Sequence, residues 1–203
     1  MIVVHHLNES RSQRVLWLLE ELGVAYEIRH HARNATTRLA PPELQAVHPL
    51  GKSPVIEDQG NTIIESGAIV DYLIRHYGGG RFQPATGSAD FEPYNQWLHY
   101  AEGSAMLPLM LKLYTSRLGD AGAPLQPRIN SEIQNHMGWL DSELVNKTYF
   151  VGDSLTGADV QLSFVAQYAT KGQGAEMFPN LARFVAMVEA RPAYQRAIAK
   201  GGA

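Results

Sequence analysis

The stretch that most narrows the folds open to this chain runs from His48 to Ile56, His-Pro-Leu-Gly-Lys-Ser-Pro-Val-Ile. Its second proline, Pro54, directly precedes an apolar β-branched pair, Val55-Ile56. Proline lacks the N–H that a sheet ladder needs, so it belongs at a strand's first residue, at an edge or at a bulge. Pro54 fits the first of these. With a cis Ser53–Pro54 bond the chain turns sharply, and the N–H and C=O of Ser53 are left without a partner strand. An extended peptide pairs with such groups by strand addition. Cis is only about 5–6% of X–Pro bonds in folded proteins, so the expectation depends on what surrounds it.

Composition allows such a fold and removes several functions. The chain has 203 residues, 45% hydrophobic and 18% charged, enough for one large or two small domains with a core that needs no staples. Its formal net charge of −3 lacks the basic footprint of a nucleic-acid binder. Having no cysteine, it has no disulfide, no thiolate metal site and no cysteine nucleophile, and it suits a reducing compartment. Met1-Ile2-Val3-Val4 carries neither the basic nor the apolar region of a signal peptide, and no apolar run approaches the roughly 18 residues of a membrane span. A cytoplasmic location with no membrane partner is the expectation.

Periodicity divides the chain. Ile2-Val3-Val4 reads as a buried strand, and Val15, Leu18, Leu19 and Leu22 as a helix closed by Gly23. Tyr26–His30 alternates as a second strand, and Pro42–Val47 fits a short helix. Val55–Asp58 and Thr62–Ile64 pair around Gln59-Gly60-Asn61, and Glu65-Ser66-Gly67 opens a helix bearing Ile69, Tyr72, Leu73 and His76. The order is βαβαββα over residues 1–78. Residues 79–90, rich in glycine, proline, serine and alanine, read as a linker. Residues 91–203 are helical in period, with Pro108 expected to kink a long helix over Pro93–Arg117. Thr156-Gly-Ala-Asp159 spells the aspartate variant of a capping box, flanked by Leu155 and Val160 at staple positions. The fold class expected is an α/β thioredoxin-like N-terminal domain followed by an all-α C-terminal domain.

Three positions in the first half point to chemistry. Ser10 stands at or just before the start of the first helix, where it is either an N-cap or a hydroxyl facing a bound anion. A thiolate is one such anion: a free thiol near pKa 8.5 drops near a helix N-terminus. Glu65-Ser66 heads the third helix, either as capping or as a zwitterion site, with Glu65 on an ammonium and Ser66 on a carboxylate. Lys52 is either a plain surface lysine or a second carboxylate binder. Two other signals are discounted. His5-His6 and His30-His31 invite a metal, but neighbouring strand residues point to opposite faces and no carboxylate at ligand spacing completes a set, so no metal is expected. Trp97, Tyr100, Met106, Leu107, Met110 and Tyr114 form an aromatic, methionine-rich helix face whose default role is core packing.

Four motifs in order, Asn8-Glu-Ser10-Arg-Ser12-Gln-Arg14, Pro49-Leu-Gly-Lys52-Ser53-Pro54-Val, Glu65-Ser66-Gly-Ala-Ile69 and Thr156-Gly-Ala-Asp159, resemble those of the cytosolic glutathione transferases along essentially the whole chain. The resemblance implies the thioredoxin-like and all-helical halves of that family, with glutathione as co-substrate and no metal cofactor. It implies a cis Pro54, with the Ser53 backbone pairing the cysteinyl unit. Glu65 and Ser66 would hold the γ-glutamyl end, Lys52 would lie near the glycine end, and Ser10 would be the activating hydroxyl. Asn8 and Arg14 would support it, and Ser12 remains an alternative to Ser10. The helix carrying Tyr100, Met106, Met110 and Tyr114 would line the electrophile pocket and a homodimer interface. The activity implied is glutathione S-transferase conjugation of apolar electrophiles. Glutathione-dependent peroxide or disulfide reduction, or non-catalytic ligand binding on the same fold, are the alternatives.

Overall fold

In the computed structural model, residues 1–201 are described. The chain forms two compact units, one of residues 1–81 with 189–203 and one of residues 82–188. The first unit runs β1 (Ile2–Leu7), α1 (Ser12–Leu22), β2 (Tyr26–His31), α2 (Glu43–Val47), β3 (Val55–Asp58), β4 (Asn61–Ile64) and α3 (Ser66–Tyr77). The sheet order is β2-β1-β3-β4, with β1 parallel to β2 and antiparallel to β3. This is a thioredoxin-like arrangement. β1 is central and nearly all buried, whereas β2 alternates and turns Glu27 and Arg29 outward, as suits an edge. Gln59 and Gly60 both adopt positive φ, the turn that matches strand twist in a two-residue hairpin between β3 and β4. Ile2, Val4, Val55 and Ile56 of the sheet, Val15, Leu18 and Leu19 of α1, and Ile69, Leu73 and Ile74 of α3 are all essentially inaccessible. The burial of each such side chain contributes about 1.5–3 kcal/mol.

The helical unit contains α4 (Phe91–Tyr100), a π-helical turn (Ala101–Ala105), α5 (Met106–Thr115), a 3-10 segment (Ser116–Leu125), α6 (Gln126–Glu143), α7 (Gly157–Ala169), α8 (Gly174–Met177) and α9 (Pro179–Glu189, whose last residue falls in the first unit). The long helix expected over 93–117 is interrupted at the π turn rather than at Pro108. Pro108 lies three residues after the π turn, in backbone that stays helical on both sides, so its missing N–H leaves one carbonyl of the preceding turn without its helix bond. The capping box at the start of α7 is complete: Asp159 accepts from the Thr156 N–H at 2.8 Å and from the Thr156 hydroxyl at 2.9 Å. Its other carboxylate oxygen takes the Phe150 N–H at 2.9 Å.

Residues 189–203, expected with the helical half, fall in the first unit instead. Pro192 does not only stop a helix; it opens another, α10 (Pro192–Gly201), which packs on α1. Arg191 grips Glu21 with two bonds, at 2.6 and 3.1 Å, while Arg196 and Lys200 converge on Glu20. Burial would raise the Glu20 carboxyl, but its bonds from Lys200, Arg196 and Tyr26 outweigh that and hold it near 2. Gln13 donates to the Tyr194 hydroxyl at 2.6 Å, and the Tyr194 ring meets Trp17 edge-on.

Candidate functional site

The carboxyl end of β1, the first turn of α1, the residue before β3 and the head of α3 all lie in the first unit, and together they hold most of the polar residues singled out in the sequence. Ser10 lies two residues ahead of α1, not at its cap; the capping position is Arg11, whose side chain makes no cap bond. The Ser10 oxygen accepts the Ser12 N–H at 3.3 Å, and its carbonyl takes the Gln13 N–H at 3.2 Å, so the turn before the helix is fixed. Ser10 is 5% exposed and Ser12 0%. Their hydroxyls are 2.7 Å apart, and Ser12 continues to His6 Nδ1 at 2.8 Å. On its other side Ser10 stands 3.4 Å from the Ser53 hydroxyl, which donates to the His5 carbonyl at 2.8 Å. Ser53, and with it the cis Ser53–Pro54 peptide, is therefore tied to β1 beside Ser10. Ser12 is fully buried, and Ser10, ahead of the helix, is the more exposed of the two.

At the head of α3, Glu65 is exposed with φ +65° and ψ 116°, a conformation costly for any residue with a Cβ. Its side chain makes no capping bond, so capping does not explain the acid there. Ser66 is the first helical residue and is buried. Arg14, buried in α1, donates to the Ser66 hydroxyl at 3.3 Å. Arg14 thus supports the α3 end of the site through Ser66. Asn8 departs from expectation. Its side-chain oxygen takes the Arg33 N–H at 2.8 Å and its carbonyl takes Arg33 Nε at 3.0 Å, which pins the loop after β2. Lys52 is exposed on the turn before Ser53.

The histidines are held by the sheet. β1–β2 pairing brings His5 Nδ1 to 3.1 Å from His31 Nε2, and β3 brings Glu57 to 2.8 Å from His5 Nε2. The carboxylate that local spacing did not supply comes from a non-local strand, and it is spent on a hydrogen bond to His5. Among the described residues no group of three or more His, Cys, Asp or Glu side chains is placed to hold a metal ion. Burial, with the His30 imidazole next in effect, pushes His6 down to about 4.

In the helical unit the four expected pocket residues differ in exposure. Met106 is 1% exposed and belongs to the core, so it offers no surface to a ligand. Tyr100 donates to or accepts from His136 Nδ1 at 2.5 Å and borders a cavity of about 750 Å³ with Trp97 and Trp139. Met110 is half-buried, and Tyr114 is exposed. The residues that local pattern did not separate from core are Leu107, Leu111 and Leu118. With Tyr114 they form an exposed apolar stripe along α5 and the segment after it.

Family models described as "Glutathione S-transferase, N-terminal domain" and "Glutathione S-transferase, C-terminal domain" match residues 1–75 and 104–192. Glutathione S-transferase 3 of Schizosaccharomyces pombe is 34% identical over 98% of this chain and 88% of its own. Glutathione S-transferase 1 of Saccharomyces cerevisiae is 32% identical over 96% of this chain and 92% of its own. A crystal structure of a glutathione S-transferase from Actinobacillus pleuropneumoniae superposes with a TM-score of 0.90 at 35% identity, covering 99% of this chain and 93% of that one.

Proposed function

Since the chain belongs to the glutathione S-transferase family, we propose that it binds glutathione along its thioredoxin-like unit and activates the thiol beside Ser10. The Ser53 N–H and C=O pair with the cysteinyl residue as an added strand. Glu65 takes the γ-glutamyl ammonium, while Ser66 and the first N–H groups of α3 take its carboxylate. Lys52 neutralises the glycine carboxylate. Residues 1–78, with α10 packed on α1, form the glutathione-binding module, and 91–188 contribute the helical domain. The assembly is a homodimer.

The observation that carries this reading is the Ser10 hydroxyl, nearly buried, fixed from behind by Ser12 and adjacent to Ser53. A serine hydroxyl donates one hydrogen bond without ionising. Lowering a thiol from about 8.5 by about two units takes roughly 2.7 kcal/mol. A hydrogen bond to a charged sulfur, about 1.5–3 kcal/mol, and the helix dipole, about 0.3–1 kcal/mol, together reach that size. The thiol proton leaves to solvent. The thiolate then forms a carbon–sulfur bond with the electrophile, which loses a leaving group with its electron pair or takes the sulfur at an activated double bond. The apolar stripe of Leu107, Leu111, Tyr114 and Leu118 suits apolar electrophiles.

The test is titration of the thiolate absorbance of bound glutathione, beside turnover of aryl halides and hydroperoxides. Wild type should show a midpoint of about 6.5 and Ser10→Ala one near about 8.5, with turnover at neutral pH lower about 10–100-fold. A Ser10→Ala variant that keeps the wild-type midpoint and turnover overturns the assignment.

A further inference from the structure

We infer that the helical unit carries a second ligand site, lined by α5, α6 and the end of α7, that takes an amphipathic monoanion: an apolar chain ending in a carboxylate. The inference does not rest on the glutathione reading, because every residue it uses lies in the unit of residues 82–188.

A cavity of about 480 Å³ lies among these elements, within the range of small-ligand pockets. Leu109 and Leu113 of α5, Ile133 of α6 and Phe178 after α8 give it an apolar floor; Leu113 is half-buried and the other three are buried. The lining holds two cations, Lys112 and Lys171, and no Asp or Glu, in a chain whose formal net charge is −3. Glu176 on α8 is outside the lining and pairs with neither lysine.

The polar groups at the rim are donors without acceptors. Lys171 Nζ lies 4.2 Å from the centre of the Tyr168 ring, so the ring holds the ammonium at the cavity edge. Both lysines are exposed, and among the described residues neither forms an ion pair. The hydroxyl of half-buried Tyr168 makes no hydrogen bond to a described residue either. A carboxylate has two oxygens to accept what these three groups donate. A neutral ligand would use the donors but gain nothing from the two charges. A small anion without a tail would leave the apolar floor in water.

The helix α5 separates this site from the apolar stripe. At about 3.6 residues per turn, Leu109, Lys112 and Leu113 fall on the opposite side of α5 from Leu107, Leu111 and Tyr114. A ligand here therefore occupies a different surface from the one that suits the electrophile.

Sodium octanoate is the probe, and methyl and amide NMR of the full chain at neutral pH is the readout. Signals of Leu109, Leu113, Ile133 and Phe178 should move together in a saturable titration, while those of Leu107 and Leu111 stay in place. Shifts that centre on the stripe or elsewhere, or no shifts, overturn the site. Lys112→Glu and Lys171→Glu change exposed positions and leave the apolar floor intact; each should weaken octanoate about fivefold. Unchanged affinity in both, or 1-octanol binding as tightly as octanoate, overturns the assignment of an anion. Sodium acetate should give no saturable shift at the same concentrations. Acetate moving the same signals as strongly overturns the assignment of an apolar tail.

Discussion

Replacing Glu65 by glycine should make the protein more stable and worse at binding glutathione. Glu65 holds φ +65° and ψ 116°, and a residue with a Cβ held in so sparsely populated a region costs about 1–3 kcal/mol. Glycine adopts positive φ without that strain, but its freer unfolded chain costs about 0.5–1 kcal/mol. The Glu65 side chain makes no capping bond, so removing it breaks no capping interaction at the helix start. The net gain is about 1 kcal/mol, which for a chain of this length raises Tm by about 2–4 °C. Against that, a carboxylate–ammonium hydrogen bond worth about 1.5–3 kcal/mol is lost, so glutathione binds about 10- to 150-fold more weakly. Differential scanning calorimetry of the free protein and titration calorimetry with glutathione measure the two effects separately. A Glu65→Gly protein that is less stable, or that binds glutathione as wild type does, refutes the idea that the strained backbone is kept for the ligand.

Two further predictions concern stability. Asp159 is 0% exposed and accepts three hydrogen bonds, so Asp159→Ala strands two buried N–H groups and a hydroxyl; the expected loss is about 3–5 kcal/mol in urea unfolding with m unchanged, and a loss under about 1 kcal/mol would contradict the role given to the box. His6 is held near 4 instead of 6.5, so the unfolded chain binds the proton that the folded one refuses, and the contribution of His6 to stability is full above pH 6.5 and fades as pH falls toward about 4. That gap is worth at most about 3 kcal/mol, partly offset because burial pushes the Asp159 carboxyl up to about 6, which favours the folded state over much of the same range. Urea midpoints taken from neutral pH down to about pH 4 should fall less in His6→Leu than in wild type; equal falls would contradict the assignment.

Local chemistry made the sheet, α1, α3 and the capping box legible, because each is marked by a short-range pattern: β-branched runs, a 3.6-residue period with Gly23 at its end, and Thr156 with Asp159. What stayed hidden depends on distant contacts. The docking of α10 joins Glu20 and Glu21 to Arg191, Arg196 and Lys200, and nothing near Pro192 announces it. Arg14 reaches Ser66 across 52 residues, and Asn8 is claimed by Arg33 only because β2 returns beside β1. α5, Met-Leu-Pro-Leu-Met-Leu-Lys-Leu-Tyr-Thr, is apolar almost all round, so its period cannot tell Met106 in the core from Leu107 on the surface. Around Ser10 the residues were legible one by one. Their order, from His6 through Ser12 to Ser10 and Ser53, exists only where β1, α1 and the turn before β3 meet.

The most direct measurement is a crystal structure of the protein with glutathione bound, read for the position of one atom. The sulfur should lie within hydrogen-bond reach of Ser10 Oγ, with the cysteinyl backbone paired to Ser53 and the γ-glutamyl end at Glu65 and Ser66. A sulfur out of reach of Ser10, or a tripeptide seated away from the turn before β3, would contradict the mechanism at its source.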